Sequence, residues 1–312
     1  MPRISVIIPT HNRPVLLAEA LTSLLAQTFA DWEAVIVDDA SSPPATVDDK
    51  DARIHVLHHN ASQGGAAAKN SGIKNATGEI LAFLDDDDLY APQYLARALD
   101  ILDRHPELDV VFMGVLWFGK NSAWGQRSYD EAMSKCLADA RGQRIDNNVI
   151  FFDESLLFAL LKSVPMAFQR PVVRREALER IGTYRPDCLL WDCDWAISAA
   201  LNAKTALITD GLYLQREEGQ GYSSRRDRIL EHLHSGIEIK DRIFHEARLR
   251  RSPPHRMALL RDAAAQGWFD LAWHHYLQQR RLKALGALWQ SESRKFSLSN
   301  LRLLARLLLP GK

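Results

Sequence analysis

Short apolar runs alternate with helical periodicities through the first third of the chain. Ile4-Ser5-Val6-Ile7-Ile8 is almost continuously apolar and stops at Pro9, as a strand buried on both faces does. Asn12 and Pro14 signal a helix start, and Val15, Leu16, Ala20, Leu21, Leu24 and Leu25 supply its apolar face through about Gln27. Ala34-Val35-Ile36-Val37 predicts a second buried strand and Ile54-His55-Val56-Leu57 a weaker third. Gly64 to Ala76 reads as a small-residue helix closed by Gly78. Ile80 to Leu84 reads as a strand running into four aspartates, Pro92 to about Arg104 as a helix, and Val110 to Met113 as a strand. Such alternation predicts an α/β fold with a mostly parallel sheet flanked by helices. Ligands of open sheets of this kind bind beyond the carboxyl ends of the strands. Pro9-Thr10, Asp38-Asp39 and Asp85 to Asp88 all fall at such ends, so three polar clusters distant in sequence are expected on one rim.

Periodicity loosens after about residue 115. Trp117 to Asn148 mixes glycine, polar and aromatic residues and is expected to be irregular. Leu156 to Leu161, Arg175 to Ile181 and Trp191 to Leu201 read as helical, and several further helices follow from about Arg226. The expected organisation is a domain over 1–225, in two halves over 1–115 and 116–225, then a helical region over 226–312.

Composition narrows the function classes. The 312 residues are 46% hydrophobic and 25% charged, which suits packed domains. Formal net charge is zero, against whole-surface binding of nucleic acid. The balance is uneven: Arg280 to Lys312 carries eight basic residues and one acid, so the first 279 residues carry −7. Cys136, Cys188 and Cys193 match no zinc pattern and no disulfide framework, which points to a reducing, cytoplasmic compartment. The chain opens directly on a strand-like run, with no leader-like segment, and no apolar run approaches the ~20 residues that span a bilayer. The expectation is a soluble protein or one on the inner face of a membrane.

Four groups of residues suggest chemistry. Asp85-Asp86-Asp87-Asp88 places four repelling carboxylates after a strand, where oxygen ligands suit Mg²⁺ or Mn²⁺; a solvated acidic turn is the plainer alternative. Asp38-Asp39 offers acceptors for a nucleobase or ribose, or carboxylates that hold a turn. One of each is the favoured reading. Gln63 to Asn70 is small enough for close backbone or ligand approach, with Lys69 either near a diphosphate or exposed. In Trp191-Asp192-Cys193-Asp194-Trp195 the acids are two apart, so on a helix they point in different directions; an ordinary acidic helix start is the alternative.

Taken together these residues resemble the family 2 (GT2) inverting glycosyltransferases with the GT-A fold, over roughly residues 3 to 220. Ser5 to Arg13 is similar to the family's first strand and turn. Gln27 to Glu33, Val37 to Ser41, Gly64 to Gly72, Ala76 to Glu79 and Phe83 to Asp88 are similar to its later motifs, the last to its acid–any–acid metal motif. The resemblance implies a nucleoside-diphosphate sugar donor, UDP being the family's commonest carrier. Pro9, Thr10, Asn12, Arg13, Asp38, Asp39, Lys69, Asn70 and Asp86 would line the donor site, with Thr10 and Asp39 on the nucleoside and Asp86 facing ribose or sugar. Asp85 and Asp87 would be the metal-motif acids for Mn²⁺ or Mg²⁺, Asp87 the direct ligand. Asp192 falls where the family keeps its catalytic base, and Trp191 and Asp194 would face the acceptor. Two departures stand out. Trp191 replaces the usual Glu before the base, and Arg216-Glu217-Glu218 stands where many relatives carry an Arg-any-His pattern.

What the resemblance implies is hexosyl transfer to a saccharide or lipid-linked acceptor in surface polysaccharide or glycolipid synthesis. The leucines from Leu298 to Leu309, interleaved with Arg302 and Arg306 and preceded by Arg294 and Lys295, suggest an interfacial helix on anionic lipid; a helix packed on the body is the alternative. Two other function classes compete. A nucleotide-sugar-binding scaffold without catalysis draws on Trp191 and Glu218. A nucleotidyltransferase needs a Gly-rich basic loop after the first strand, which Thr10-His11-Asn12-Arg13 does not supply.

Overall fold

The computed structural model describes residues 1–47, 51–146, 148–217 and 228–308. The chain divides into two compact units, Met1–Gln220 and Gly221–Lys312.

The first unit is built on one sheet. Its opening strands are β1 (Ile4–Thr10), β2 (Trp32–Asp38), β3 (Ile54–His58) and β4 (Ile80–Phe83), joined through helices α1 (Pro14–Leu25) and α2 (Gly65–Asn75). They lie side by side in the order β3, β2, β1, β4, all parallel, with Ile4 opposite both Trp32 and Ile80. The apolar residues of β1, β2 and β4 are buried on both faces, which is why their sequences run apolar without alternation. Helix α2 lies directly on β1: a methyl group on Gly72 would come within 2.3 Å of Ile7 Cγ2. The glycine at 72 is therefore a packing requirement.

Next come β5 (Leu89–Tyr90), α3 (Tyr94–Arg104) and β6 (Val110–Phe118). The stretch expected to be irregular contains α4 (Ser122–Ala140), a helix of 19 residues, and β7 (Gln143–Asp146), with β8 (Val149–Phe152) just after it. The expectation fails for a physical reason. Helix α4 buries only Gly125, Met133, Cys136 and Ala140, so its inner face is marked by small residues and carries little apolar periodicity. After α5 (Ser155–Leu160) come β9 (Pro171–Arg174), α6 (Leu178–Ile181), α7 (Trp191–Asn202) and β10 (Thr205–Arg216). Strand β9 pairs antiparallel with both β4 and β6, while β10 runs parallel to β6 and antiparallel to β8 and β5. The parallel half thus continues into a mixed half, and β10 reaches back to the segment that follows the aspartates.

Asn12 does not cap α1. Arg13 takes the cap position, and Asn12 adopts a left-handed φ of 56°. Its amide donates to Ser41 Oγ (2.8 Å) and its Oδ1 accepts from the Ser42 amide (2.8 Å), which ties the turn after β1 to the turn after β2.

The second unit holds α8 (Ile229–Leu249), α9 (Pro254–Leu277), α10 (Arg281–Arg294) and α11 (Leu298–Leu308). Its core gathers Ile237, Leu271, Ala272, Ala284, Ala287, Leu288, Leu303 and Leu307. The tail helix packs within this unit through Asn300, Leu303 and Leu307. Residue Leu309 lies outside the described residues.

Candidate functional site

Strand ends bring the acidic clusters to one rim, and one residue joins two of them. Thr10, the last residue of β1, accepts the Asp39 amide at its carbonyl (2.9 Å) and donates its hydroxyl to Asp86 Oδ2 (2.7 Å). The turn that begins at Pro9 continues to Arg13, whose guanidinium bridges Asp86 (3.0 Å) and Asp87 (2.8 Å).

The two acids after β2 are held by neutral donors and histidines. Asp38 accepts the Ser41 and Ala45 amides (both 2.9 Å) and lies 3.0 Å from His58 Nδ1. Burial opposes its charge, but these hydrogen bonds hold the carboxyl down at about 2. Asp39 accepts from Ser62 Oγ (2.7 Å) and from the Gln63 (2.8 Å) and Gly64 (2.8 Å) amides, with His59 Nδ1 at 2.7 Å. Burial again works against the charge and the donors prevail, so Asp39 also sits below the ordinary carboxylate range. Four donors match a carboxylate's four lone-pair sites. Gly64 takes a φ of 87° to deliver its amide, a conformation that favours glycine. Both acids therefore hold loops, and the protein side of Asp39 is filled.

The acids after β4 are held by cations. Lys69 Nζ sits 2.7 Å from Asp85 Oδ1, and Arg170 lies 3.3 Å from Asp85 Oδ2 and 3.5 Å from Asp88. Lys69 is 2% exposed. Its ammonium lies 4.7 Å from the Trp191 ring centroid and 5.7 Å from that of Tyr184. The reading of Lys69 as a surface lysine is overturned. Burial would raise Asp85, yet Lys69 and Arg170 outweigh it and hold the carboxyl at about 2. Asp86 is pushed up to about 6, mainly by burial, against the Thr10 and Arg13 contacts. Asp87 is raised by burial and then by the charge of Asp85. Asp88 is 1% exposed and raised by burial to about 7, although it accepts from Tyr213 Oη (2.9 Å), Gln215 Nε2 (3.1 Å) and the Arg216 amide (2.9 Å). The tetrad divides: Asp88 anchors β10, while Asp85, Asp86 and Asp87 line the rim.

Helix α7 closes the other side. A Cβ on Gly65 would lie 3.5 Å from the Trp191 ring, whose edge meets Tyr184 at 5.2 Å between centroids. Asn70 clamps the same segment, donating to the Tyr184 carbonyl (2.7 Å) and accepting its amide (3.0 Å). Asp192 is half-buried and accepts the Cys193 amide (2.8 Å), whereas Asp194 is buried. Burial opposes the Arg170 charge, and Tyr213, Asp85, Asp88 and Asp192 together hold it above the ordinary arginine value. Among the described residues the buried Arg170 Nε has no hydrogen-bond partner.

Sequence reading missed Arg170, Tyr213 and Gln215. Alternation of Tyr213 and Gln215 about Leu214, after the apolar run Ala206 to Ile208, is the signal for a strand with polar groups on one face. Arg170, a charged residue one position before the buried strand Pro171–Arg174, carries a weaker signal. Glu218 lies outside the described residues.

The site's chemistry suits a hard divalent cation at one edge. Among the described residues no three His, Cys, Asp or Glu side chains form a ready cage. Mg²⁺-type ions are commonly held by one or two carboxylates plus substrate phosphates. Asp87, half-buried, paired with Arg13 and raised by burial and then by the charge of Asp85, has the donor atoms for that role. Asp85 is already neutralised by two cations and stands behind it.

A model of glycosyl transferase family 2 matches residues 5–182. A Campylobacter jejuni protein, GalNAc(5)-diNAcBac-PP-undecaprenol beta-1,3-glucosyltransferase, is 44% identical over 108 residues, 33% of this chain and 34% of that protein. Among solved structures, Staphylococcus aureus TarS residues 1–349 in complex with UDP-GlcNAc has a TM-score of 0.65 at 18% identity, covering 97% of this chain and 83% of that one. The Pyrobaculum calidifontis mannosyltransferase PcManGT, in complex with GDP-Man and Mn²⁺, has a TM-score of 0.54 at 22% identity, covering 98% and 79%. These likenesses show the GT-A fold. Matches to curated relatives span 13% to 48% of those relatives' own lengths.

Proposed function

The chain belongs to glycosyl transferase family 2, and from that premise we propose that it moves a hexose from a nucleoside-diphosphate sugar, UDP being the first candidate, to an acceptor hydroxyl with inversion. The observation that carries this reading is the shared rim. Thr10, Arg13, Lys69 and Asp85 to Asp87 meet there through direct contacts, and Trp191, the neighbour of Asp192 in α7, lies 4.7 Å from the Lys69 ammonium.

In this reading Thr10, Asn12 and Arg13 frame the nucleoside end of the donor with the Asp38 and Asp39 turns, whose filled carboxylates fix the shape of the pocket. Lys69 and Arg13 sit on the carboxylates that a diphosphate would approach, so they are placed to exchange a carboxylate for a phosphate as donor binds. Asp87, with Asp85 behind it, would hold Mn²⁺ or Mg²⁺, which when bound neutralises charge growing on the leaving diphosphate. Asp192 takes the acceptor hydroxyl's proton as the new bond forms. Trp191 gives the acceptor side a flat apolar wall in place of a carboxylate. The undecaprenol-linked chemistry in the Campylobacter relative's name supports a lipid-linked saccharide as acceptor.

Asp192→Asn tests the reading. Transfer is expected to fall about 10²–10⁴-fold, the usual contribution of a positioned base, with donor affinity unchanged. Transfer at the wild-type rate would remove Asp192 from the chemistry.

A further inference from the structure

We propose that the exposed half of α11, with the turn leading into it, is a docking surface for an anionic lipid bilayer. At 3.6 residues per turn the buried side of this helix is set by Asn300, Leu303 and Leu307. On the opposite side Leu298, Leu301, Ala305 and Leu308 fall within an arc of about 80°. Arg302 and Arg306 occupy the adjoining arc. The outer surface is therefore two-toned, apolar beside basic, on a helix already anchored through its third side. Phe296 stands exposed just before it. These apolar side chains, Leu298, Leu301, Leu308 and Phe296, are between 44% and 70% exposed, where a folded unit gains nothing from them on its own.

Charge complementarity selects the occupant. Of the basic residues first suspected, Arg294 is held by Asp241 (2.9 Å) and Lys295 by Asp262 (2.5 Å), so they fasten α10 to α8 and α9. Arg302 and Arg306 have no carboxylate within 4 Å among the described residues; Arg306 lies over the Trp273 ring at 5.4 Å. The single acid between 280 and 308, Glu292, accepts from Asn300 Nδ2 at 2.6 Å. Leucines beside uncompensated cations match an interface of acyl chains and anionic headgroups. No described helix is long and apolar enough to cross a membrane, so the contact is with one face of a bilayer. This surface requires neither donor nor catalysis and stands apart from the sugar-transfer reading.

The experiment is co-sedimentation of the full chain with vesicles of phosphatidylglycerol and phosphatidylcholine in equal parts, against pure phosphatidylcholine. Binding to the anionic vesicles is expected to be at least about tenfold stronger and to weaken as salt rises. The pair Leu301→Ser with Leu308→Ser, and separately Arg302→Ser, are each expected to lower it several-fold at an unchanged melting temperature. Trp124→Ser, which removes an exposed tryptophan of α4, is expected to change nothing. If the leucine pair melts early, Leu298→Ser alone carries the same expectation. Failure to sediment with anionic vesicles overturns the proposal, as does sedimentation indifferent to both the leucine and the Arg302 changes. A dimer in light scattering that the leucine pair abolishes, without vesicle binding, would make a second copy the occupant and overturn it too.

Discussion

Two acidic clusters follow two parallel strands of one sheet, and they are built in opposite ways. After β2, Asp38 and Asp39 accept from backbone amides, a serine and histidines, and both carboxyls lie below their ordinary range. After β4, Asp85 to Asp88 are surrounded by Lys69, Arg13 and Arg170, and three of the four are raised by burial. Amide donors are fixed by the fold and cannot leave. A lysine or arginine side chain can rotate to a stronger anion. In the proposed reading the first cluster shapes a pocket, and the second exchanges partners when phosphate arrives.

Substitutions that break the contrast should rank accordingly. The largest stability effect is expected at Asp88, the member of the second cluster that behaves as a fixed anchor. Asp88→Ala removes the acceptor for Tyr213, Gln215 and the Arg216 amide and leaves buried Arg170 with Asp85 as its one carboxylate within 4 Å among the described residues, beside the Gln215 and Gln169 oxygens. Loss of one partner of a buried ion pair costs about 3 kcal/mol or more, readable by denaturant unfolding. A loss below about 1 kcal/mol would mean that its raised carboxyl contributes little as an anion.

Asp38 should show the next effect, and a pH dependence. Its carboxyl falls from an ordinary 3.8 to about 2 on folding, worth about 2 kcal/mol at 1.36 kcal/mol per pH unit. The folded value is depressed, so this stabilisation is complete above pH ~4–5 and fades as pH falls toward 2. The unfolding free-energy difference between wild type and Asp38→Asn is expected to be largest near neutrality and to shrink in acid. A difference constant from pH 6 to pH 2.5 would contradict the hydrogen-bonded carboxylate.

Asp39→Asn is expected to cost least, about 1 kcal/mol, since the amide oxygen keeps some of the acceptor role. It would sharpen the contrast through binding: if Asp39 acts by fixing the turn at 62–64, donor affinity should fall only a few-fold. A total loss of donor binding at normal stability would give Asp39 a direct contact with the nucleoside.

Much of this was readable in the sequence, and the limits have physical causes. Strands β1, β2 and β4 announce themselves because both faces are buried, and their acids sit where parallel strands end. Helix α4 was hidden because its inner face is glycine and alanine beside Met133 and Cys136. Strand β10 was hidden because it changes partners along its length, with register shifts between Ile208 and Tyr213, so no single alternation runs through it. Arg170 meets Asp85 and Asp88 only after β9 inserts between β4 and β6, a pairing that local pattern does not encode. The roles of Asn12 and Asn70 as loop clamps belong to the same class: each needs a partner about 30 or more residues away.

The central claim is most directly tested by thermal-shift titration of UDP-sugars and GDP-sugars, with and without Mn²⁺, on wild type and Asp87→Ala. At least one donor is expected to stabilise the wild type strongly with Mn²⁺ and weakly in chelator, and Asp87→Ala should lose the metal-dependent part. Equal shifts with and without the ion, or an Asp87→Ala protein that responds like wild type, would contradict a donor site organised on the acids after β4.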